Sequence, residues 1–548
     1  MANLWVAGAA EHPLPQGTKP GPSRPASGCY EHSEFPLNPH SESNAGLGQS
    51  QPADTKGSNI FQAHGDPGGL RGKAIRGGLV TLLTQAACLV LSVASSAALG
   101  RLLTPRDYGL VAMVGAFTAF FSLFKDLGLS QATIQREEIT HQQVSTLFWL
   151  NASLGAALMA ITMLIAPLVA WFYHEPKLVA ITAALSAGFL LSGFGVQHSA
   201  LLVRQMRWPA VSAAGLPIQI ITIGVGILLA WRGWGPWALV CMALIGSCLQ
   251  TLLVWYLCPW RPGMPARRIG ARSMVATGGN VTGFQILSYF ARNLDQVLIG
   301  RVWGGADLGI YSRSYSLFLL PLSQITSPLS SLAVPALSRL QNEPERFRSF
   351  LLKALLLVNF VTMPLTVLLM VCAEPVISLL LGAKWMACVN VFRVLGLAGL
   401  VQPTVVAVSW IYYSTDATAR LFRWGWLYSA TIIFSFIIGL PFGIIGVAIC
   451  YSVAFLLITW PAIAMATHGT CISVRQVLRA VAHPFAGALL AGVAAWLTQL
   501  AVGKSLPSWQ SLFLELAAGG AIYGLVLFIF FRNTGRTVLS IARELLNG

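Results

Sequence analysis

The sequence predicts an all-α polytopic membrane protein of about fourteen transmembrane helices, arranged as two pseudo-symmetric six-helix lobes plus two C-terminal helices. Three observations carry this: a scarcity of charge, a succession of apolar stretches of membrane-spanning length, and an internal repeat. Only 10% of the 548 residues are Asp, Glu, Lys or Arg, and 55% are hydrophobic. A water-soluble domain carries roughly 25% charge. So little charge cannot cover a surface that faces water, and the mean hydropathy of +0.67 says the same.

Residues 1–70 differ from the rest, being rich in Pro, Gly, Ser and His and poor in aliphatic residues. Such a segment buries too little apolar surface to offset its ordering entropy. It also lacks the apolar core of a secretory signal. It is expected to be a disordered cytoplasmic tail. Apolar stretches then follow at 77–98, 108–124, 144–171, 178–200, 210–231, 236–258, 274–298, 308–335, 350–372, 389–412, 422–440, 443–466, 480–501 and 511–531. Each is long enough to cross roughly 30 Å of hydrocarbon as a helix. Helix is required because lipid offers the backbone no hydrogen-bond partner. The expected organisation is an N-lobe over 72–272 (spans one to six) and a C-lobe over 273–470 (spans seven to twelve). Spans thirteen and fourteen and a cytoplasmic C-terminus occupy 471–548.

Orientation follows from Lys and Arg. One set of links, beginning with Arg71, Lys73 and Arg76 and ending with Arg532, Arg536 and Arg543, holds 22 of them. The alternate set holds seven: Arg101, Arg106, Lys177, Arg232, Arg301, Lys384 and Lys504. Basic links stay in the cytoplasm, so both termini are expected there and the number of crossings is even. The net charge of +16 is read the same way. No basic run with interleaved aromatics suggests a nucleic-acid partner. Cys88, Cys241, Cys248, Cys258, Cys372 and Cys450 lie in or beside apolar stretches without a C-x-x-C pair, which suits small buried hydrophobes.

The repeat lies in two of the short links. Gly100-Arg101 leads after five residues to Asp107-Tyr108-Gly109, and Gly300-Arg301 leads after five to Asp307-Leu308-Gly309. The pattern G-R-x5-D-x-G thus recurs six spans later. Six is even, so the two halves share one orientation and are related by an axis along the membrane normal. The glycines permit a tight turn, and an Arg–Asp pair is available to pin it. The alternative is a gating role at the outer face. A weaker echo links Trp234-Gly235-Pro236-Trp237 before the sixth span with Phe442-Gly443-Ile444-Ile445 before the twelfth.

Asn293-Leu294-Asp295-Gln296-Val297-Leu298-Ile299-Gly300-Arg301, followed by Asp307-Leu308-Gly309-Ile310-Tyr311-Ser312-Arg313, resembles the Wzx-C-like polysaccharide exporters of the MOP flippase superfamily. Gly100 through Pro105 with Tyr108-Gly109, Pro335 through Gln341, and Leu381 through Trp385 are similar to that family too. The resemblance covers roughly residues 72 to 500. It implies a fourteen-helix, two-lobe fold. It also implies flipping of undecaprenyl-diphosphate-linked oligosaccharide units across a bacterial inner membrane, for exopolysaccharide, capsule or lipopolysaccharide. The implied partners are that lipid-linked oligosaccharide, membrane lipids, and the polymerase and chain-length machinery.

Ionisable residues at membrane depth are costly and therefore functional candidates. Arg292 and Asp295 lie three apart on the seventh span, so they share a helix face and are placed to pair. Arg313 lies early in the eighth span and Arg393 near the start of the tenth. A guanidinium grips phosphate with a planar fork, so Arg292 and Arg313 suit the head group of an anionic lipid-linked sugar. Asp295 suits tuning of Arg292 or binding of a coupling cation or proton. Asn280, Gln285, Asn293 and Gln324 suit sugar hydroxyls or bridges between helices. Pro321, Pro328 and Pro335 recur every seven residues along the eighth span and suggest a kinked or broken helix. No phosphate loop, H-E-x-x-H or G-x-S-x-G occurs, so no catalytic role, cofactor or metal is expected. The competing readings are a cation antiporter of the same superfamily, which calls for an acidic cavity, a polytopic polymerase, which calls for a long outer loop, and a non-transporting scaffold.

Overall fold

The computed structural model describes residues 70–126, 128–135, 139–205, 207–265, 289–415, 417–502 and 506–530. The expected tail up to residue 69, Asn280, Gln285, the seventh span before residue 289 and the C-terminus from 531 lie outside the described residues. Every regular element among the described residues is helical.

The first helices are α1 (Leu70–Leu102), α2 (Pro105–Ser122), the two-turn α3 (Leu129–Gln135), α4 (His141–Tyr173), α5 (Lys177–Arg204), α6 (Trp208–Trp231) and α7 (Pro236–Leu257). Residues 289–302 form α8. There follow α9 (Gly304–Arg339), α10 (Pro344–Val371), α11 (Ala373–Leu380), α12 (Cys388–Ser414), α13 (Thr418–Gly439), α14 (Gly443–Thr467), α15 (Val474–Val502) and α16 (Ser508–Phe530).

The chain is a multi-pass membrane protein. Among the described residues ten stretches are long and apolar enough to cross a membrane; the expected seventh span lies mostly outside the described residues. One of them, Ala419–Thr467, is folded back at Leu440–Phe442 into α13 and α14. The expected spans 108–124 and 511–531 correspond to α2 and α16, which are not among the ten. The short helices α3 and α11 were not expected; they lie within links.

Helix ends follow local chemistry. Thr104 caps α2: its hydroxyl accepts the Asp107 N–H at 3.3 Å, and the Asp107 carboxylate accepts the Thr104 N–H at 2.9 Å. Thr140 and Gln143 repeat this reciprocal cap at the start of α4, satisfying donors that a helix start leaves orphaned. The Arg–Asp pin expected within the first motif is therefore not formed. Asp107 is consumed by the cap, and Arg101 points elsewhere. The broken helix expected at Pro321, Pro328 and Pro335 is not found either: α9 runs unbroken through all three.

Helices α1, α2 and α4–α7 pack on one another, and α9, α10, α12, α13 and α14 form a second bundle. Helices α15 and α16 pair and lie against α10. The bundles meet along α2 and α9, with α1 also touching α11. One apolar cluster continues across that seam, from Leu110, Met113 and Val114 through Ile299, Leu308 and Tyr311 to Leu395 and Phe436. Water is thus excluded where α2 and α9 begin. Cys258 and Cys372 are buried and Cys88, Cys241, Cys248 and Cys450 half-buried, as expected of small hydrophobes.

Candidate functional site

The two copies of G-R-x5-D-x-G come together at the seam. A Cβ on Gly309 would overlap the Pro105 carbonyl and lie 3.1 Å from the Gly109 nitrogen, and one on Gly109 would overlap the Gly305 carbonyl. Only hydrogen fits at either position, so α2 and α9 cross backbone to backbone.

The first two residues of each motif reach into the opposite bundle. Arg101 donates to the Leu379 carbonyl at 2.6 Å, Lys384 donates to the Arg101 carbonyl at 3.0 Å, and the buried Trp385 indole donates to the Gly100 carbonyl at 2.7 Å. In the second motif Arg301 lies 2.8 Å from His174 Nδ1 and 5.5 Å from the Phe172 ring centroid. A Cβ on Gly100 would meet Leu381 at 2.5 Å; one on Gly300 would meet the Tyr173 ring at 2.8 Å. So the α1 corner is held by the link after α10, and the α8 corner by the link after α4. The two copies exchange partners across the seam. Trp303 adds a bond to the Leu440 carbonyl at 2.9 Å.

One to two turns beyond the crossing, α2, α7, α8 and α9 line an open cavity of about 220 Å³, bordered by Tyr108, Gln296, Ser312, Arg313, Tyr315 and Ser316 among others. The Arg313 guanidinium lies 4.6 Å from the Tyr108 ring centroid. That contact crosses the seam, since Tyr108 is on α2 and Arg313 on α9. The Arg313 Nε and the Tyr108 hydroxyl are buried without a hydrogen-bond partner among the described residues. A buried guanidinium N–H without an acceptor is costly and gains from an anion.

Asp295 and Arg292 are not paired, contrary to the expectation from their spacing. Asp295 is 3% exposed and accepts from the Tyr311 hydroxyl at 3.0 Å and the Gln296 N–H at 2.8 Å. Tyr311 stacks on Tyr315, and Tyr315 meets Tyr451 edge-on. Arg292, one turn earlier, is exposed and within electrostatic reach of the Tyr315, Tyr413 and Tyr428 hydroxyls. Arg393 donates to the Met370 carbonyl at 3.4 Å, so it ties α12 to α10. Asn293 bonds the Tyr289 carbonyl of its own helix. Of the residues singled out in the sequence, Arg313 lines the cavity.

Tyr108, Gln296, Ser312, Tyr315, Ser316, His174 and Trp385 were missed as site residues. A four-residue spacing of Ser312 with Ser316, and of Tyr311 with Tyr315, was the available signal for one polar face on α9.

The profile of a family described as polysaccharide biosynthesis protein matches residues 98–390. The teichuronic acid biosynthesis protein TuaB of Bacillus subtilis (strain 168) is 24% identical over 324 residues, covering 59% of this chain and 67% of that protein. The lipopolysaccharide biosynthesis protein WzxC of Escherichia coli (strain K12) is 24% identical over 339 residues, covering 61% and 68%. Among solved structures, the lipid II flippase MurJ in an inward closed conformation superposes with a TM-score of 0.68 at 15% identity, covering 84% of this chain and 99% of that one. At that identity the likeness concerns the fold.

Proposed function

This chain belongs to the polysaccharide biosynthesis protein family, and from that premise we propose that it is a flippase for undecaprenyl-diphosphate-linked oligosaccharide units, serving exopolysaccharide, capsule or lipopolysaccharide synthesis. The observation that carries the reading is Arg313: a cation with an unpaired buried Nε, in a cavity at the seam of two bundles. A diphosphate head group supplies the acceptor that this nitrogen lacks. Ser312, Ser316 and Gln296 offer hydroxyl and amide groups for the first sugar. TuaB and WzxC are named for teichuronic acid and lipopolysaccharide biosynthesis, which supports a role in polysaccharide synthesis. We read the protein as a transporter rather than an enzyme.

The basic links mark the cytoplasmic side of a bacterial inner membrane, with both termini there. The motif corners then lie at the outer face, and their exchange of partners is the outer gate. Alternating access follows when the N-lobe and C-lobe rock about the α2–α9 crossing. Arg292 forms part of the path to the cavity. Asp295, buried and held by Tyr311, binds a coupling proton or cation. Polymerase and chain-length machinery act on the product.

The test is flipping of a fluorescent undecaprenyl-diphosphate oligosaccharide in liposomes. Losing one charge-assisted hydrogen bond costs about tenfold or more, so Arg313→Ala should slow flipping by at least that, with helicity unchanged. Tyr108→Phe keeps the ring under Arg313 and should flip normally. No flipping by the parent protein with several sugar head groups and an imposed ion gradient would overturn the reading.

A further inference from the structure

We propose that closure of the motif face is proton-sensitive through one half of the exchanged clasp, the contact between Arg301 and His174. This rests on reading that face as a gate between the lobes. His174 ends α4 with a left-handed backbone (φ 58°), a conformation that a side-chain-bearing residue adopts only where its surroundings hold it. Its exposed imidazole meets Arg301 of α8 at 2.8 Å.

The chemistry of the pair fixes the protonation state. A guanidinium carries N–H donors and no acceptor. A hydrogen bond between them requires that His174 Nδ1 present a lone pair, which is the neutral ring with its proton on Nε2. Protonation removes that lone pair and sets two cations 2.8 Å apart. The contact is thus present when the imidazole is neutral and lost when it is protonated. Histidine changes charge between about pH 5 and 8, within reach of the medium bathing an exposed link.

Two of the neighbouring acids are already engaged. Glu175 in the same link is taken by Arg106 of α2 at 2.6 Å. Asp107 of α2 is held by the Thr104 cap. Lys177 at the start of α5 adds positive charge, and Tyr173, beside His174 on α4, is buried. Asp307 lies in the first turn of α9, within the corner that Arg301 begins.

The other half of the clasp behaves differently. Arg101, Lys384 and Trp385 all bond across the seam through backbone carbonyls. Carbonyls do not titrate in this range, so that half stays closed. Acid therefore weakens one corner, whose Arg301–Phe172 and Gly300–Tyr173 contacts remain, and leaves the other as a pivot. The two copies of the motif are equivalent in sequence but not in response to protons.

The experiment reads distance, not transport, so it is independent of whether the substrate has been named correctly. Full-length protein with native cysteines replaced is spin-labelled at Arg232 and Phe442, exposed sites on links of the two bundles. Distances are measured in nanodiscs at about pH 5.5 and 7.5, either side of an imidazole titration. The parent should show one short distance at the higher pH and a second, longer population at the lower. His174→Gln, which cannot acquire the charge, should remove the response. Arg301→Ala, which breaks the contact without altering the strained backbone, should show the longer population at both pH values. An unchanged parent distribution, or a pH response that survives in His174→Gln, overturns the proposal. Flipping without a pH-dependent distance would remove this proposal alone; a pH-dependent distance without flipping would remove the transport reading alone.

Discussion

A side-chain carbon on Gly109 would occupy the space of the Gly305 carbonyl oxygen. The α2–α9 crossing therefore has no room for any residue larger than glycine, and the adjacent Gly309 meets Pro105 in the same way. The obstacle at both sites is backbone, which cannot rotate aside as a side chain can.

Gly109→Ala and Gly309→Ala should each separate the two helices. The cost of overpacking is typically about 1–3 kcal/mol, seen as a lower thermal midpoint and as greater labelling of cysteines placed along the seam. Gly115→Ala is the comparison: it lies on the same helix with nothing within 4 Å of the added carbon. It should be neutral or mildly stabilising, because alanine favours helix by about 1 kcal/mol over glycine. Equal behaviour of the three variants would refute the crossing as a close contact.

Trp385 should be hard to replace. It is 0% exposed, its indole bonds the Gly100 carbonyl, and its ring meets Tyr108 edge-on at 5.4 Å. Trp385→Phe keeps the ring but leaves that carbonyl unpaired, at a cost of about 1–3 kcal/mol. Trp385→Ala should cost about 3–5 kcal/mol. Thermal unfolding of the two variants checks the order; a Phe variant as unstable as the Ala variant would mean that packing geometry, rather than the ring's volume, dominates.

Asp295 and Tyr311 should be coupled. Removing either partner strands the other in a buried site, whereas removing both leaves nothing to desolvate. Asp295→Ala and Tyr311→Phe together should therefore be less damaging than the sum of the two, by about 0.5–3 kcal/mol in a double-mutant cycle. Additive losses would show that the 3.0 Å bond contributes no stability.

Part of the candidate site was legible in advance because its chemistry is local. Arg313 stood out as a charge inside an apolar stretch, and it lines the cavity. The repeat stood out because four positions recur in order at one spacing. The partners of those positions were not legible. Arg292 and Asp295 share a helix face by spacing, yet Asp295 turned to Tyr311, sixteen residues away on the next helix. A hydroxyl that packing delivers to a buried carboxylate outcompetes a neighbour whose side chain lies exposed.

By itself the sequence determined what the surrounding medium dictates. Too little charge for a watery surface, with apolar runs of spanning length, leaves helices in lipid as the way to satisfy the backbone. It also determined where helices start, because caps such as Thr104 with Asp107 act across three residues. Only the tertiary structure decided which residues the repeat meets. Arg101 meets Leu379 across 278 positions of chain and Arg301 meets His174 across 127. Contacts at such separations are set by how two bundles dock, and periodicity along one helix carries no information about a surface that another helix supplies.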